Sequence, residues 1–129
     1  MNESQFTQKI NRKLKAAGVY CLKIQTLMNN GVPDCWYSGP KGDLWVEYKY
    51  RKDLPKKDST TFLPGLSGLQ EHWLNNRYHE DREVAVILGS PSGHIILTDL
   101  EWNDKTITSK GLPETDASVV EWIKSKTLV

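Results

Sequence analysis

The sequence contains few cysteines and no long apolar stretch. Two cysteines, Cys21 and Cys35, are too few for a disulfide framework, and we expect both to be reduced, partly buried thiols. No run of apolar residues approaches the roughly 20 that a membrane-spanning helix needs. The first residues also lack the basic start and apolar block of a signal peptide, so we expect a cytoplasmic protein.

Several common catalytic and binding motifs are missing as well. The segment Ser38-Gly-Pro-Lys-Gly42 lacks the Gly-Lys-Ser/Thr ending of a nucleotide-binding P-loop. The sequence contains no Gly-x-Ser-x-Gly nucleophile elbow. Its three histidines and two cysteines match no usual zinc spacing. These absences disfavour a P-loop enzyme, a serine hydrolase of the elbow type and a zinc protein.

The charged residues are distributed unequally along a chain whose net charge is only +1. Residues 1–64 contain 11 Lys or Arg and 6 Asp or Glu, whereas residues 65–129 contain 6 and 10. This asymmetry favours one face suited to a polyanion. The densest basic segment, residues 49–57, is either a phosphate-contacting loop or an ordinary solvated loop, and both interpretations stay open. The candidate phosphate-contacting residues are Lys23, Arg51, Lys52, Lys56 and Lys57.

Residue periodicity predicts a single domain with the element order αβββαββα, in which helices flank a mixed sheet. The first helix presents an apolar stripe, with Asn2 as its cap and Gly18 at its end. Residues 19–28 alternate as a strand does, and Asn29-Asn30-Gly31 indicates a turn. Residues 32–37 and 43–50 predict a hairpin, and Val84–Leu88 predicts a buried strand. The stripe consists of Phe6, Ile10, Leu14 and Ala17, and one face of the first strand consists of Tyr20, Leu22, Ile24 and Met28.

The hairpin brings together three residues that suit phosphodiester hydrolysis. Glu47 and Lys49 are two apart in one strand and therefore point to the same face, and pairing places Asp34 alongside Glu47. Two converging carboxylates favour a divalent cation such as Mg²⁺ or Mn²⁺, for which the Tyr48 carbonyl is a plausible third ligand. Lys49 would orient the attacking water or stabilise charge on the phosphate. The alternative is an amphipathic strand with a solvated charged face.

The segments Gly31-Val-Pro-Asp34 and Leu44-Trp-Val-Glu-Tyr-Lys49 resemble the PD-(D/E)xK nuclease superfamily, and in detail its VRR-NUC (virus-type replication-repair nuclease) branch. Glu3 in the first helix and Gln70 in the second match two further positions of that branch. The resemblance covers about residues 1–90 and implies a restriction-endonuclease-like core. It further implies catalytic roles for Asp34, Glu47, Lys49, Glu3 and Gln70, with Asp34 and Glu47 holding the metal.

Two of these assignments have structural alternatives. A carboxylate at Glu3 is favoured by the helix dipole alone. Ser67-x-x-Gln70 fits a capping box, and we expect a capping Gln70 to reach the site only if its side chain turns away from the cap. Residues 94–129 are not assigned by the resemblance.

The resemblance implies a bacterial or phage-encoded endonuclease that acts on DNA, most simply as a homodimer because one centre cuts one strand. A branched-structure enzyme such as a Holliday junction resolvase is the first expectation, and a homing or restriction-type endonuclease is the second. A DNA-binding module that keeps the nuclease fold without catalysis is an alternative from another class.

Overall fold

A five-stranded mixed sheet forms the centre of the computed structural model, which describes residues 1–24 and 30–129. The strands lie side by side in the order of the sequence. The third and fourth are parallel, and the other neighbouring pairs are antiparallel. They are β1 (Tyr20–Lys23), β2 (Cys35–Ser38), β3 (Asp43–Tyr50), β4 (Val84–Gly89) and β5 (Ile95–Leu97).

In the described part of the chain, three α-helices flank this sheet: α1 (Glu3–Ala16), α2 (Gly68–His79) and α3 (Asp116–Thr127). A short 3₁₀ helix, Glu101–Asn103, precedes α3. This order confirms the predicted αβββαββα arrangement. None of the helices in the two described ranges is long and apolar enough to cross a bilayer.

Each face of the sheet has its own apolar core. On one face, α1 and α3 pack against β2 and β3, and Phe6, Ile10 and Leu14 are fully buried there. On the other face, Leu74 of α2 and Trp102 of the 3₁₀ helix pack against β4 and β5. Because both of its faces are covered, β4 is buried along its whole length, as its continuous apolar sequence predicts.

The first helix begins and ends where its sequence predicts. The Asn2 side chain accepts a hydrogen bond from the Gln5 backbone amide, and the Gln5 side-chain oxygen accepts one from the Asn2 backbone amide. Gly18 follows the helix with φ of +96°, a conformation that favours glycine. Ala17, expected in the apolar stripe, is exposed because the helix ends before it.

Two strand predictions need correction. The strand predicted over 19–28 ends at Lys23 in the described part, and it is Cys21 that packs toward the core while Tyr20 and Leu22 are exposed. Its predicted continuation through Met28, and Asn29 of the turn, lie outside the described residues. The second strand begins at Cys35, not at residue 32, because Pro33 has no amide hydrogen to donate to a neighbouring strand.

Candidate active site

Asp34 lies in a bend directly before β2, and the hairpin register places it opposite Glu47. Cys35 is the Cα partner of Val46, so Asp34, the residue before Cys35, lies opposite Glu47, the residue after Val46. The Asp34 Oδ2 atom accepts a hydrogen bond of 3.0 Å from the Tyr48 backbone amide. The sequence expectation placed Asp34 inside the strand; the bend leaves the side chain free to reach across to β3.

Glu47 is buried, with 1% of its surface exposed, although alternating charges on a strand usually mark a solvated face. Its Oε2 atom accepts a hydrogen bond of 3.0 Å from the Gln70 side-chain amide. Its Oε1 atom is buried without a hydrogen-bond partner among the described residues. Burial, reinforced by the nearby Asp34 carboxylate, raises the pKa of Glu47 from 4.5 to about 8, even though Lys49 acts in the opposite direction.

The Lys49 ammonium lies 3.6 Å from Glu47 Oε2, with 19% of its side chain exposed. Both side chains project from the same face of β3, as their spacing predicts. The intervening Tyr48 points to the opposite face and is fully buried in the core under α1. Its hydroxyl lies 2.7 Å from that of Tyr37, and the Tyr37 hydroxyl donates to Asn11 of α1. This buried polar chain fixes β3 from behind, and it was not predicted from the sequence.

Gln70 makes a capping contact and a site contact at the same time. Its side-chain oxygen accepts a hydrogen bond of 2.9 Å from the Ser67 amide, which completes the capping box of α2. Its side-chain nitrogen donates to Glu47. The expectation that these contacts exclude each other was wrong, because the two ends of an amide act separately as acceptor and donor. The start of α2 therefore holds the buried carboxylate of β3.

Gly31 explains how the segment before Asp34 approaches α2. Its φ is +81°, and a Cβ atom built on it would lie 2.2 Å from the Leu69 carbonyl oxygen and 2.9 Å from the Gln70 amide nitrogen. Only glycine permits this contact between two backbones. Gly31 was predicted from the sequence as a turn residue; its second role depends on the distant first turn of α2.

Glu3 lies at the exposed start of α1, on the side of the molecule where the other site residues meet. Partial desolvation raises its pKa, with Asp34 adding to the effect and Lys49 opposing it. Glu3 is also one of the charges that raise the pKa of Glu47. The structure thus brings Glu3 within electrostatic range of the site residues, and no hydrogen bond between its carboxylate and them occurs in the described residues.

The candidate phosphate-contacting residues fall into two groups. Arg51 follows β3 directly, donates its amide to Gly89 and stacks its guanidinium 4.5 Å from the centre of the Phe62 ring. The loop after it begins at the same end of β3 as the candidate site. Lys23 lies apart from this loop, exposed at the end of β1. The exposed lysines of the loop are Lys52, Lys56 and Lys57.

The residues present fit a hard divalent cation that keeps much of its water. Glu47 Oε1 is a buried oxygen that lacks a partner, and it lies in a site shared with a second carboxylate. Within residues 1–24 and 30–129, no group of three or more His, Cys, Asp or Glu side chains is gathered to hold a metal. Two carboxylates with remaining positions for water suit Mg²⁺ better than an ion that requires a full set of protein ligands.

These elements define a restriction-endonuclease-like α+β fold, with helices on both faces of a mixed sheet. The chain is similar to the 1.6 Å structure of Hjc, a Holliday junction resolvase from the archaeal hyperthermophile Archaeoglobus fulgidus, with a TM-score of 0.61. The match covers 91% of this chain and 98% of that chain, at 20% sequence identity. No family model and no curated protein matches the sequence. The likeness establishes the shared fold.

Proposed function

We propose that this protein is a divalent-metal-dependent endonuclease that hydrolyses DNA phosphodiester bonds and selects branched DNA, as a Holliday junction resolvase does. The observation that carries the proposal is the buried, unpartnered oxygen of Glu47 in a site shared with Asp34 and Lys49. A buried carboxylate with a strongly raised pKa is costly to maintain, and such groups concentrate at functional sites. The fold shared with an archaeal resolvase supports the same conclusion.

In this proposal Asp34 and Glu47 hold the metal, and the Tyr48 carbonyl serves as a third ligand. A bound Mg²⁺ or Mn²⁺ would supply neutralising charge for the phosphate and a more acidic water. The hydrogen bond from Tyr48 to Asp34 and the one from Gln70 to Glu47 fix both carboxylates before the metal arrives. Such preorganisation keeps the carboxylates of Asp34 and Glu47 from rotating out of the orientation in which they would bind the metal.

Lys49 supplies positive charge beside the reaction centre. Its side chain is mostly buried, and its ammonium lies 3.6 Å from Glu47 Oε2, a distance longer than a hydrogen bond. The same group would stabilise the extra negative charge that develops on phosphate oxygens during hydrolysis. Glu3 would support the site from α1, either through water or at a second metal.

The path of the DNA follows from the positions of the basic residues. The loop that contains Lys52, Lys56 and Lys57 begins where β3 ends, directly beyond Lys49. We assign these lysines and Arg51 to the phosphate backbone flanking the scissile bond, and Lys23 to a more distant phosphate. Two copies of the chain would then make the paired cuts that resolve a junction.

We further propose that this chain belongs to the VRR-NUC branch of the PD-(D/E)xK nucleases. It is supported by the Gly31 to Asp34 segment, whose glycine contacts the backbone of α2 beside Gln70. A bacterial or phage-encoded protein acting in the cytoplasm of the host cell is consistent with this assignment.

A cleavage panel tests the proposed function. Four-way junctions, flaps, single strands and linear duplex are incubated with Mg²⁺, with Mn²⁺ or with chelator, and products are resolved on denaturing gels. We expect cleavage that requires the divalent ion, prefers junctions and is abolished by Asp34→Ala. The matched control is Asp104→Ala, which removes an exposed carboxylate near the 3₁₀ helix.

Each other outcome contradicts a definite part of the proposal. Palindromic cuts in linear duplex would replace junction selection with sequence-specific cleavage. Equal inactivity of the wild type and Asp34→Ala, with DNA binding retained, would indicate a binding module without catalysis.

A further inference from the structure

The buried polar chain behind β3 extends further than its two tyrosines. The Tyr48 hydroxyl lies 2.7 Å from that of Tyr37, and the Tyr37 hydroxyl donates to Asn11 Oδ1. Because that donation uses the only proton of the Tyr37 hydroxyl, the Tyr48 hydroxyl is the donor between the two tyrosines. The Asn11 side-chain amide in turn donates to Cys35 Sγ, 3.5 Å away. All four side chains are buried.

Both ends of the buried polar chain reach residues that position Asp34. At one end is Tyr48, whose backbone amide donates to Asp34 Oδ2 at 3.0 Å. At the other end is Cys35, which follows Asp34 directly and begins β2. The contacts therefore form a closed ring that leaves the Asp34 carboxylate, passes through β3, β2 and α1, and returns to the Asp34 backbone. A displacement of β2 relative to β3 breaks at least one hydrogen bond of this ring.

Apolar packing alone would hold α1 on the sheet without these polar groups. Phe6, Ile10 and Leu14 of α1 are already fully buried on the same face. Burying three further polar side chains costs free energy that their hydrogen bonds largely offset. What the hydrogen bonds add is direction, because each requires a definite distance and angle between donor and acceptor. The buried polar chain thus restrains the relative positions of α1, β2 and β3 more closely than apolar contacts do.

We propose that Asn11, Tyr37 and Tyr48 are positioning residues of the candidate metal site, whose buried polar chain holds the Asp34 carboxylate and the Tyr48 backbone in place for the metal. Their side chains meet between α1 and the sheet, on the face away from the candidate site. They therefore act through the backbones of Tyr48 and Cys35. The inference rests on the proposed function, because it takes Asp34 as a ligand of the metal.

Titration of Mn²⁺ into the metal-free protein, followed by calorimetry, tests the positioning role without reference to cleavage. Tyr37→Phe removes one hydroxyl and keeps the ring, and it should raise the Mn²⁺ dissociation constant at least about tenfold. Tyr48→Phe, which leaves the bond between Tyr37 and Asn11 intact, is the milder second variant and should act in the same direction. Urea unfolding verifies that each variant is fully folded at the temperature of the titration.

Tyr50→Phe is the matched control for these variants. Tyr50 lies on the same strand and the same face as Tyr48 but outside the buried polar chain, and its ring packs on Phe6. The substitution makes the same chemical change near the candidate site, so the Mn²⁺ dissociation constant should stay as in the wild type.

Amide hydrogen exchange in the metal-free protein supplies a second measurement. In Tyr37→Phe, the Tyr48 amide that donates to Asp34 should exchange about tenfold faster relative to the amides of β4. The amides of β4 report opening of the whole sheet, because this strand is buried along its length. Equal acceleration of both would indicate a general loss of stability and would overturn the positioning role.

Cleavage assays at subsaturating Mn²⁺ separate this proposal from the proposed function. If both are correct, Tyr37→Phe lowers kcat and leaves the KM for DNA unchanged, because the buried polar chain does not face the DNA. Weakened Mn²⁺ binding in Tyr37→Phe, in a protein that cleaves no DNA, would remove the nuclease and keep the positioning role. Metal-dependent cleavage with equal Mn²⁺ dissociation constants in Tyr37→Phe and Tyr50→Phe would overturn the positioning role and keep the nuclease. A wild type that binds no Mn²⁺ would also overturn it.

Discussion

Replacing Glu47 by Gln is expected to stabilise the metal-free protein increasingly as the pH rises. The Glu47 carboxyl has a folded-state pKa of about 8 against an ordinary value of 4.5, because it is buried beside Asp34. Below pH 4.5 the carboxyl is protonated in both the folded and the unfolded state, so it does not change the free energy of unfolding. Between the two values the unfolded chain releases the proton and the folded protein keeps it, so stability falls as the pH increases.

The size of the effect follows from the displacement of the pKa. Between pH 4.5 and pH 8, each increase of one pH unit lowers the free energy of unfolding of the wild type by roughly 1.4 kcal/mol. The total loss is about 5 kcal/mol. Gln at this position has nearly the same shape, and its oxygen can accept the hydrogen bond from Gln70. Its amide nitrogen occupies the place of the unpartnered oxygen, so a constant offset is expected at every pH.

Urea unfolding at several pH values in the presence of chelator measures the effect. The quantity to compare is the difference in unfolding free energy between Glu47→Gln and the wild type, which cancels the titration of groups that are not coupled to Glu47. That difference should grow from pH 5 to pH 8 and then level off. Added Mg²⁺ should reverse the loss in the wild type and have little effect on the variant. Parallel pH profiles for the two proteins would refute the reasoning.

Three further results are expected. Lys49→Ala should lower turnover by about 10²–10³-fold. Metal binding measured by calorimetry should stay nearly unchanged, because an ammonium has no lone pair to offer a metal. Loss of metal binding with full turnover would contradict this role of Lys49. Lys52→Ala and Lys56→Ala should each weaken DNA binding and reduce its salt slope by about 1, and an unchanged slope would identify the loop as ordinary surface. Gly31→Ala should cost clearly more unfolding free energy than Gly65→Ala, because both have positive φ but only Gly31 approaches other atoms, the backbone of Leu69. Equal losses would mean that the close approach contributes nothing.

The local features of the site were predictable because they depend on neighbours in sequence. The capping residues of α1 and α2, the hairpin of β2 and β3, and the common face of Glu47 and Lys49 follow from helical and strand geometry alone. For the same local reason, the alternating pattern of β1 did not decide which of its faces is buried. Alternation identifies two faces, and it does not say which face α1 covers.

The sequence by itself determined the order of the elements and the set of chemical groups at the candidate site, since both are encoded within short segments. Only the tertiary structure decided that Glu47 is buried rather than solvated, because α2 folds over that face of β3 and Gln70 reaches it from 23 residues away. The same packing brings the Gly31 backbone against Leu69 and places Trp73 of α2 against Trp45 of β3. Burial raises the pKa of the Glu47 carboxyl, which would otherwise be an ordinary surface charge. Whether a side chain is buried depends on which distant segment of the chain packs over it.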